Sequence, residues 1–186
     1  MEALDALLNR VSVPRLQEPA PTPEQRERLF VAALRAPDHA QLRPWRFLTV
    51  EGAARERLGE LFARAVAADH PKARPEALEK ARAMPLRAPL LVVVIASLKA
   101  QPKVPEEEQL LSAGCAAHAI LLAAHAQGIG AIWRTGDLAY HPLIKAGLGL
   151  GANERIVGFL YLGAPAGEPR TPPRPDLQDF VGAWGA

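Results

Sequence analysis

The run Arg35-Ala36-Pro37-Asp38-His39-Ala40-Gln41-Leu42-Arg43-Pro44-Trp45-Arg46-Phe47 joins a helical pattern to a strand pattern through a loop dense in ligand-binding groups. Pro37 and Pro44 bracket it, and each pushes the residue before it toward extended backbone, so the loop should be stiff. Asn9-Arg10-Val11-Ser12 offers a cation and a hydroxyl where the amphipathic run Leu4, Leu7, Leu8 ends. Gly128-Ile129-Gly130-Ala131-Ile132-Trp133-Arg134-Thr135-Gly136 carries Trp-Arg-Thr out of a short strand into a glycine. Arginine makes planar, bidentate contacts with phosphate, and lysines are confined to Lys72, Lys80, Lys99, Lys103 and Lys145. A phosphate site in this chain would therefore be built from arginine. Each segment also has a plainer reading: a surface cation for Arg10, a locally hydrogen-bonded loop histidine for His39, a core indole beside a solvated guanidinium for Trp133 and Arg134.

Other chemistries find less support. His118 and His125 share a helix face at seven-residue spacing, but no carboxylate or cysteine stands beside them at ligand spacing, so a metal site is not expected. Nothing follows a Ser-His-Asp order with a nucleophile elbow. Gly147-Leu148-Gly149-Leu150-Gly151 imitates a dinucleotide fingerprint but lacks the preceding strand and following helix that give that motif its mechanism.

The elements that must position these residues are legible from pattern. Thr22-Pro23-Glu24-Gln25 is a helix start with a capping box, and Leu29, Phe30, Ala33 and Leu34 mark its buried side as far as Arg35. A strand is expected at 47–51, helices around Leu58 to Val66 and Glu76 to Met84, and a strand covered on both faces at 89–96. Glu106, Glu107 and Glu108 suit the positive end of a helix whose run from Leu110 to Ala126 is apolar. That run falls short of the roughly 20 residues of a spanning helix and is read as a core helix. Further strands are expected at 131–135 and 156–162 around a short helix near 142–148. The elements alternate without a steady strand-helix-strand rhythm, so the class is α+β: a three-layer sandwich with a mixed central sheet and helices on both faces.

Composition narrows the partners. A chain of 186 residues, 49% hydrophobic, is most simply one domain spanning 1–186, with a proline-rich C-terminal arm from 164. Lys and Arg total 22 against 20 Asp and Glu, a near balance that argues against nucleic acid. Cys115 is the single cysteine, expected to be a small buried packing residue. No basic region precedes an apolar core at the start, so no signal peptide is read, no membrane partner is expected and a cytoplasmic location follows. Leu177, Phe180, Val181 and Trp184 need a surface, and a second subunit is the natural one.

In order and spacing, Asn9-Arg10-Val11-Ser12, Arg35-Ala36-Pro37-Asp38-His39, Pro44-Trp45, Ser112-Ala113-Gly114-Cys115-Ala116, Trp133-Arg134-Thr135-Gly136 and Ile156 to Gly163 together resemble the FMN-dependent nitroreductase family, in its short YdjA-like branch. The resemblance covers nearly the whole chain. It implies a nitroreductase-like fold, an intertwined homodimer with the long central helix in the interface, and FMN as cofactor with NAD(P)H as electron donor. Arg10, Val11 and Ser12 would then hold the FMN phosphate, Trp133, Arg134 and Thr135 would flank the ring, and Arg35 and His39 would reach the cofactor of the other subunit. Ala123, Ala124, His125, Ala126, Gln127 and Gly128 match the region associated with NAD(P), although a glycine-closed helix end explains them without a ligand. The implied activity is hydride transfer from NAD(P)H through FMN to a nitroaromatic, quinone or activated alkene. Val11, Gln41 and Arg43 depart from the family's usual residues. A non-catalytic flavin carrier or regulatory protein, or an interaction protein that has lost the cofactor, stays open as an alternative.

Overall fold

One strand paired along both edges organises the molecule. The computed structural model describes residues 1–168 and 170–185; Pro169 and Ala186, both in the expected C-terminal arm, lie outside them. The elements in chain order are α1 (Ala3–Asn9), β1 (Leu16–Gln17), α2 (Pro23–Ala33), β2 (Trp45–Glu51), α3 (Ala53–Asp69), α4 (Pro75–Ala83), β3 (Leu90–Ser97), α5 (Glu106–Ala126), β4 (Gly130–Arg134), α6 (Pro142–Gly147) and β5 (Glu154–Pro165). One edge of β5 pairs with β3, which in turn pairs with β2. The other edge pairs with β4 through Gly163 to Phe159 and, beyond it, with β1 through Ala164 and Pro165.

All of these pairings are antiparallel, which corrects the expected mixed sheet. β2 and β3 are joined through α3 and α4 and yet run in opposite directions. The α+β class and the helices on both faces stand. Leu90, Val92, Val94 and Ala96 of β3 pack toward a core shared with α2 and α5, while Leu91, Val93 and Ile95 pack toward a second core shared with α3, α4 and α6. β3 is buried from Leu90 to Ala96, as its continuous apolar run requires.

Local chemistry accounts for the elements. Thr22 Oγ1 accepts from Gln25 N at 3.3 Å while Gln25 Oε1 accepts from Thr22 N at 2.9 Å, the capping box expected at the start of α2. Across β3, Arg46 on β2 donates two bonds, at 2.6 and 2.7 Å, to the carboxylate of Glu154 at the start of β5. The same carboxylate accepts from Gly151 N at 2.9 Å. First the Arg46 bond and then the Gly151 amide hold Glu154 well below the usual carboxylate range, at about 2, against the opposing effect of burial.

α5 is 21 residues long, so it does reach the length and hydropathy of a spanning helix, a correction to the expected shortfall. Its burial shows what the apolar run is for. Ala113, Ala116, Ala117, Ile120 and Ala124 are inaccessible and pack on the sheet and α2. Cys115 is exposed, not buried, and Leu111 and His118 lie exposed on the same side of α5. With small apolar residues all round the helix, periodicity could not say which stripe faces the sheet.

Candidate functional site

Trp133 sits at the end of β4, and the way it is held sets the geometry of the site. Its indole Nε1 donates to the carbonyl of Val157 at 3.3 Å. Val157 is the extra residue of a β-bulge, for Val94 pairs with Gly158 while the next residue, Ile95, pairs with Ile156. The bulge changes the facing of β5, so Ile156 and Phe159 both reach the α3 side. Gly158 leaves the space the indole occupies, and a β-carbon at Gly114 of α5 would come only to within about 4.0 Å of Trp133 Cη2. Trp133 is thereby fixed between a bulge and a helix.

Arg134 takes the opposite face of the strand. Its guanidinium carbon is 6.0 Å from the centre of the Tyr161 ring. Residues 133–136 border a cavity of about 350 Å³, floored by Phe62, Met84, Leu138, Phe159 and Tyr161 and flanked by Arg87. Neither Arg87 nor Arg134 is ion-paired among the described residues, and no carboxylate lines the cavity. Burial raises the pKa of the Tyr161 phenol, and the charges of Arg134 and Arg87 oppose that rise. An aromatic floor under two uncompensated guanidiniums suits a flat ligand that gains negative charge. Arg87 and Tyr161 were not among the residues expected here, because they come from elements far from 133–136 in sequence.

Arg10 and Ser12 are placed by the end of α1. Arg10 is its C-cap, with its N–H donating to Ala6 O at 3.2 Å, and the chain leaves in extended form. Val13 N then donates to Ala131 O at 2.9 Å, tying the segment to β4 two residues before Trp133. Arg10, Val11 and Ser12 line a cavity of about 410 Å³ with Arg170 and Thr171 of the C-terminal arm. Two arginines and two hydroxyls with no carboxylate among the lining residues are a donor set for a phosphate dianion. Arg170 is a second addition, hidden in the sequence by its proline-rich surroundings. Within one chain this cavity and the one at Trp133 are separate.

Arg35 and His39 border neither cavity. His39 Nδ1 lies 2.8 Å from Glu108 Oε2 at the start of α5, so local bonding accounts for it within one chain. The loop around it is wound through left-handed backbone at Ala40 (φ 60°), Gln41 (φ 53°) and Arg43 (φ 49°). Asp38 closes it by accepting from Arg43 N at 2.6 Å, and Lys99 Nζ donates to Leu42 O. Proline stiffening alone did not disclose this winding.

The 123–128 segment is a capped helix end. Gly128 adopts φ 72°, and Gly128 N and Ile129 N donate to the carbonyls of His125 and Ala124. Gln127 Nε2 donates to Ala123 O at 3.0 Å, and Ala126 is exposed. His125 borders a mainly apolar cavity of about 250 Å³ with Val11 and Leu121, and its Nε2 is buried without a partner. Among the described residues no group of three or more His, Cys, Asp or Glu side chains is placed to hold a metal ion.

Comparison with known proteins gives the family. The family model described as "Nitroreductase family" matches residues 7–164. A protein of Escherichia coli (strain K12) named "Putative NAD(P)H nitroreductase YdjA" is 46% identical over 166 residues, 89% of each chain. A Haemophilus influenzae protein of the same designation, without the YdjA symbol, is 36% identical over 97% of this chain and 98% of its own. Among solved structures, the nitroreductase-like family protein from Bacillus cereus superposes with a TM-score of 0.85 at 22% identity, covering 100% of this chain and 97% of that one. A Bacteroides fragilis nitroreductase with bound FMN superposes with a TM-score of 0.74, also at 22% identity, over 98% of both chains. From the match over residues 7–164 and the two relatives above 30% identity, the chain belongs to the nitroreductase family.

Proposed function

We infer that the protein is an FMN-dependent NAD(P)H oxidoreductase of the nitroreductase type, a homodimer that reduces an electron-poor acceptor such as a nitroaromatic, a quinone or an activated alkene. The observation that carries this reading is the pair of guanidiniums, Arg87 and Arg134, without an ion pair among the described residues, at the aromatic cavity beside Trp133. The names of the relatives and the FMN-bound neighbour support it. The residues present fit the cofactor: a cavity of about 350 Å³ falls in the range of small-molecule sites, and the arginine-hydroxyl corner at Arg10, Ser12 and Arg170 suits its phosphate.

When bound, FMN supplies the hydride acceptance and donation, and the protein supplies binding, orientation and electrostatics. Arg10 and Arg170 neutralise the phosphate, with Ser12 adding a neutral donor. Trp133, locked by Val157 and Gly158, keeps the wall of the site in place. Arg134 and Arg87 offset the negative charge that a bound ring gains on reduction. Phe62, Phe159 and Leu138 keep water from the floor.

A second subunit completes the reading. No residue of α1 is buried in the single chain, and Leu4, Leu8, Leu111 and Trp184 stand exposed. That much apolar surface calls for a partner, and a second copy would bring Arg35 and His39 to the other site. The expected location is the cytoplasm.

The test is an absorbance spectrum of the purified protein, then anaerobic addition of NAD(P)H and of an acceptor. Flavin bands that bleach with NAD(P)H and return with a nitroaromatic or quinone are expected. Colourless protein that takes up no FMN on reconstitution would overturn the assignment.

A further inference from the structure

A second cavity adjoins the wall of the candidate site. It has a volume of about 390 Å³, and Leu110, Ile156 and Val157 form its apolar lining while Tyr140, Lys145 and Arg155 supply its polar groups. Val157 is the bulge residue whose carbonyl receives the Trp133 indole, so this cavity and the Trp133 wall meet at one residue. Lys145 is half-buried and has no acidic partner among the described residues. Arg155 engages Glu106 through Nη2 only, leaving its other nitrogens for a ligand. The lining itself contains no carboxylate.

The elements that aim these groups are firmly held. The His141 ring accepts from Leu143 N at 3.1 Å and lies 3.2 Å from Asp69 Oδ1, which anchors the start of α6. Lys145 N donates to His141 O in the next turn, so its side chain leaves a pinned helix. Tyr140, 73% exposed, stands at the rim as an aromatic face.

We propose that this cavity is an anchoring subsite for planar aromatic acceptors bearing a carboxylate, with Lys145 and Arg155 taking the carboxylate and Tyr140, Ile156 and Val157 taking the ring. The proposal rests on the oxidoreductase reading for its meaning, while its benzoate-binding arm is read without turnover. Two cations facing one apolar cavity favour a monoanion over a neutral ring, and the preference should weaken with salt.

The experiment measures benzoate and benzamide binding to FMN-saturated protein by calorimetry, in the wild type and in Lys145→Met and Arg155→Gln, which also guard against a folding defect in either one. Benzoate should bind more tightly than benzamide, and each variant should weaken benzoate by about fivefold while moving benzamide little. The KM ratio of nitrobenzene to 4-nitrobenzoate, above one in the wild type, should fall toward one in Lys145→Met. Absence of benzoate binding, as when a second copy of the chain fills the cavity, or binding indifferent to both substitutions, overturns the subsite. Benzoate binding that depends on Lys145 in a protein whose flavin bands neither bleach with NAD(P)H nor return with a nitroaromatic, a quinone or an activated alkene keeps the subsite and removes the oxidoreductase reading.

Discussion

Trp133 and Gly158 occupy complementary space: a β-carbon at position 158 would fall 2.6 Å from Trp133 Cδ1 and closer still to Nε1. Gly158→Ala must therefore displace the indole or bend β5. The substitution should cost about 1–3 kcal/mol of stability, the usual scale of overpacking. In a Trp133→Ala background the same change should cost much less, because the two residues contest one volume. Denaturant melts of the four proteins check this, and equal costs in both backgrounds would refute the packing argument.

Acid should expose the Arg46–Glu154 pair. The Glu154 pKa is depressed from the ordinary 4.5 to about 2, so the folded state holds its proton less tightly than the unfolded state. Its stabilising contribution is fully present above about pH 4.5 and is lost as the pH falls through 4.5 toward 2. Arg46 remains 35% exposed, which discounts the effect to about 1–3 kcal/mol. Glu154→Gln should be less stable than wild type at pH 7 and should close most of that gap at pH 3. A constant gap between these pH values would argue against the pair.

The loop at 38–43 stores backbone strain. Ala40 is exposed and left-handed at φ 60°, a region that costs a residue with a β-carbon about 1–2 kcal/mol. Ala40→Gly removes that cost but adds freedom to the unfolded chain, so a net gain of about 0.5–1 kcal/mol is expected. The Tm should rise by about 1–4 °C. Ala40→Val should lower it. Equal Tm values for the alanine, glycine and valine proteins would show that the winding is not maintained in solution.

Arg10 and Arg170 face one cavity and should act on the cofactor phosphate together. Arg10→Glu and Arg170→Glu should each leave the protein folded and abolish flavin retention, since losing one charge-assisted contact costs about 1.5–3 kcal/mol before repulsion is counted. Flavin content after gel filtration, beside a circular dichroism spectrum, decides it. Full flavin content in the folded Arg10 variant would remove the phosphate assignment.

Kinetics test how donor and acceptor share the site. Each would need its reacting atom about 3–3.5 Å from the ring, and if one face of the bound ring packs against the wall that Trp133 anchors, as proposed, they should take turns. Initial rates with NAD(P)H varied at several fixed acceptor concentrations should give parallel double-reciprocal lines. Intersecting lines with both ligands bound at once would point to a separate nicotinamide site, and His125 with its unpartnered Nε2 would be the first residue to substitute.

Local rules made much of this fold legible. Thr22 and Gln25 announced the start of α2, and the apolar run at 89–96 announced a strand covered on both faces, observed at Leu90–Ser97. Residues 133–135 and 10–12 could be proposed because each lies in one continuous segment, and each segment borders a cavity. What escaped depends on the third dimension. Cys115 was misplaced because α5 is apolar all round, and the strand directions were misjudged because an apolar pattern carries no direction. Arg87, Tyr161 and Arg170 reach their cavities from distant elements, and no spacing rule links them to Trp133 or Arg10.

The two-edged pairing of β5 has a consequence for biosynthesis. β3 is complete at Ser97, but the strand that closes its second edge begins only at Glu154, more than fifty residues later. At about 5–20 residues per second the ribosome needs roughly 3–11 seconds to supply it. Through that interval the run Leu90 to Ala96 has one unpaired edge, and its faces still await α5 and α6, the kind of segment that pairs with foreign strands. The nascent chain is therefore most vulnerable between the emergence of β3 and that of β5, and a holding chaperone that shields this strand should matter more to yield than any added stability of the finished protein.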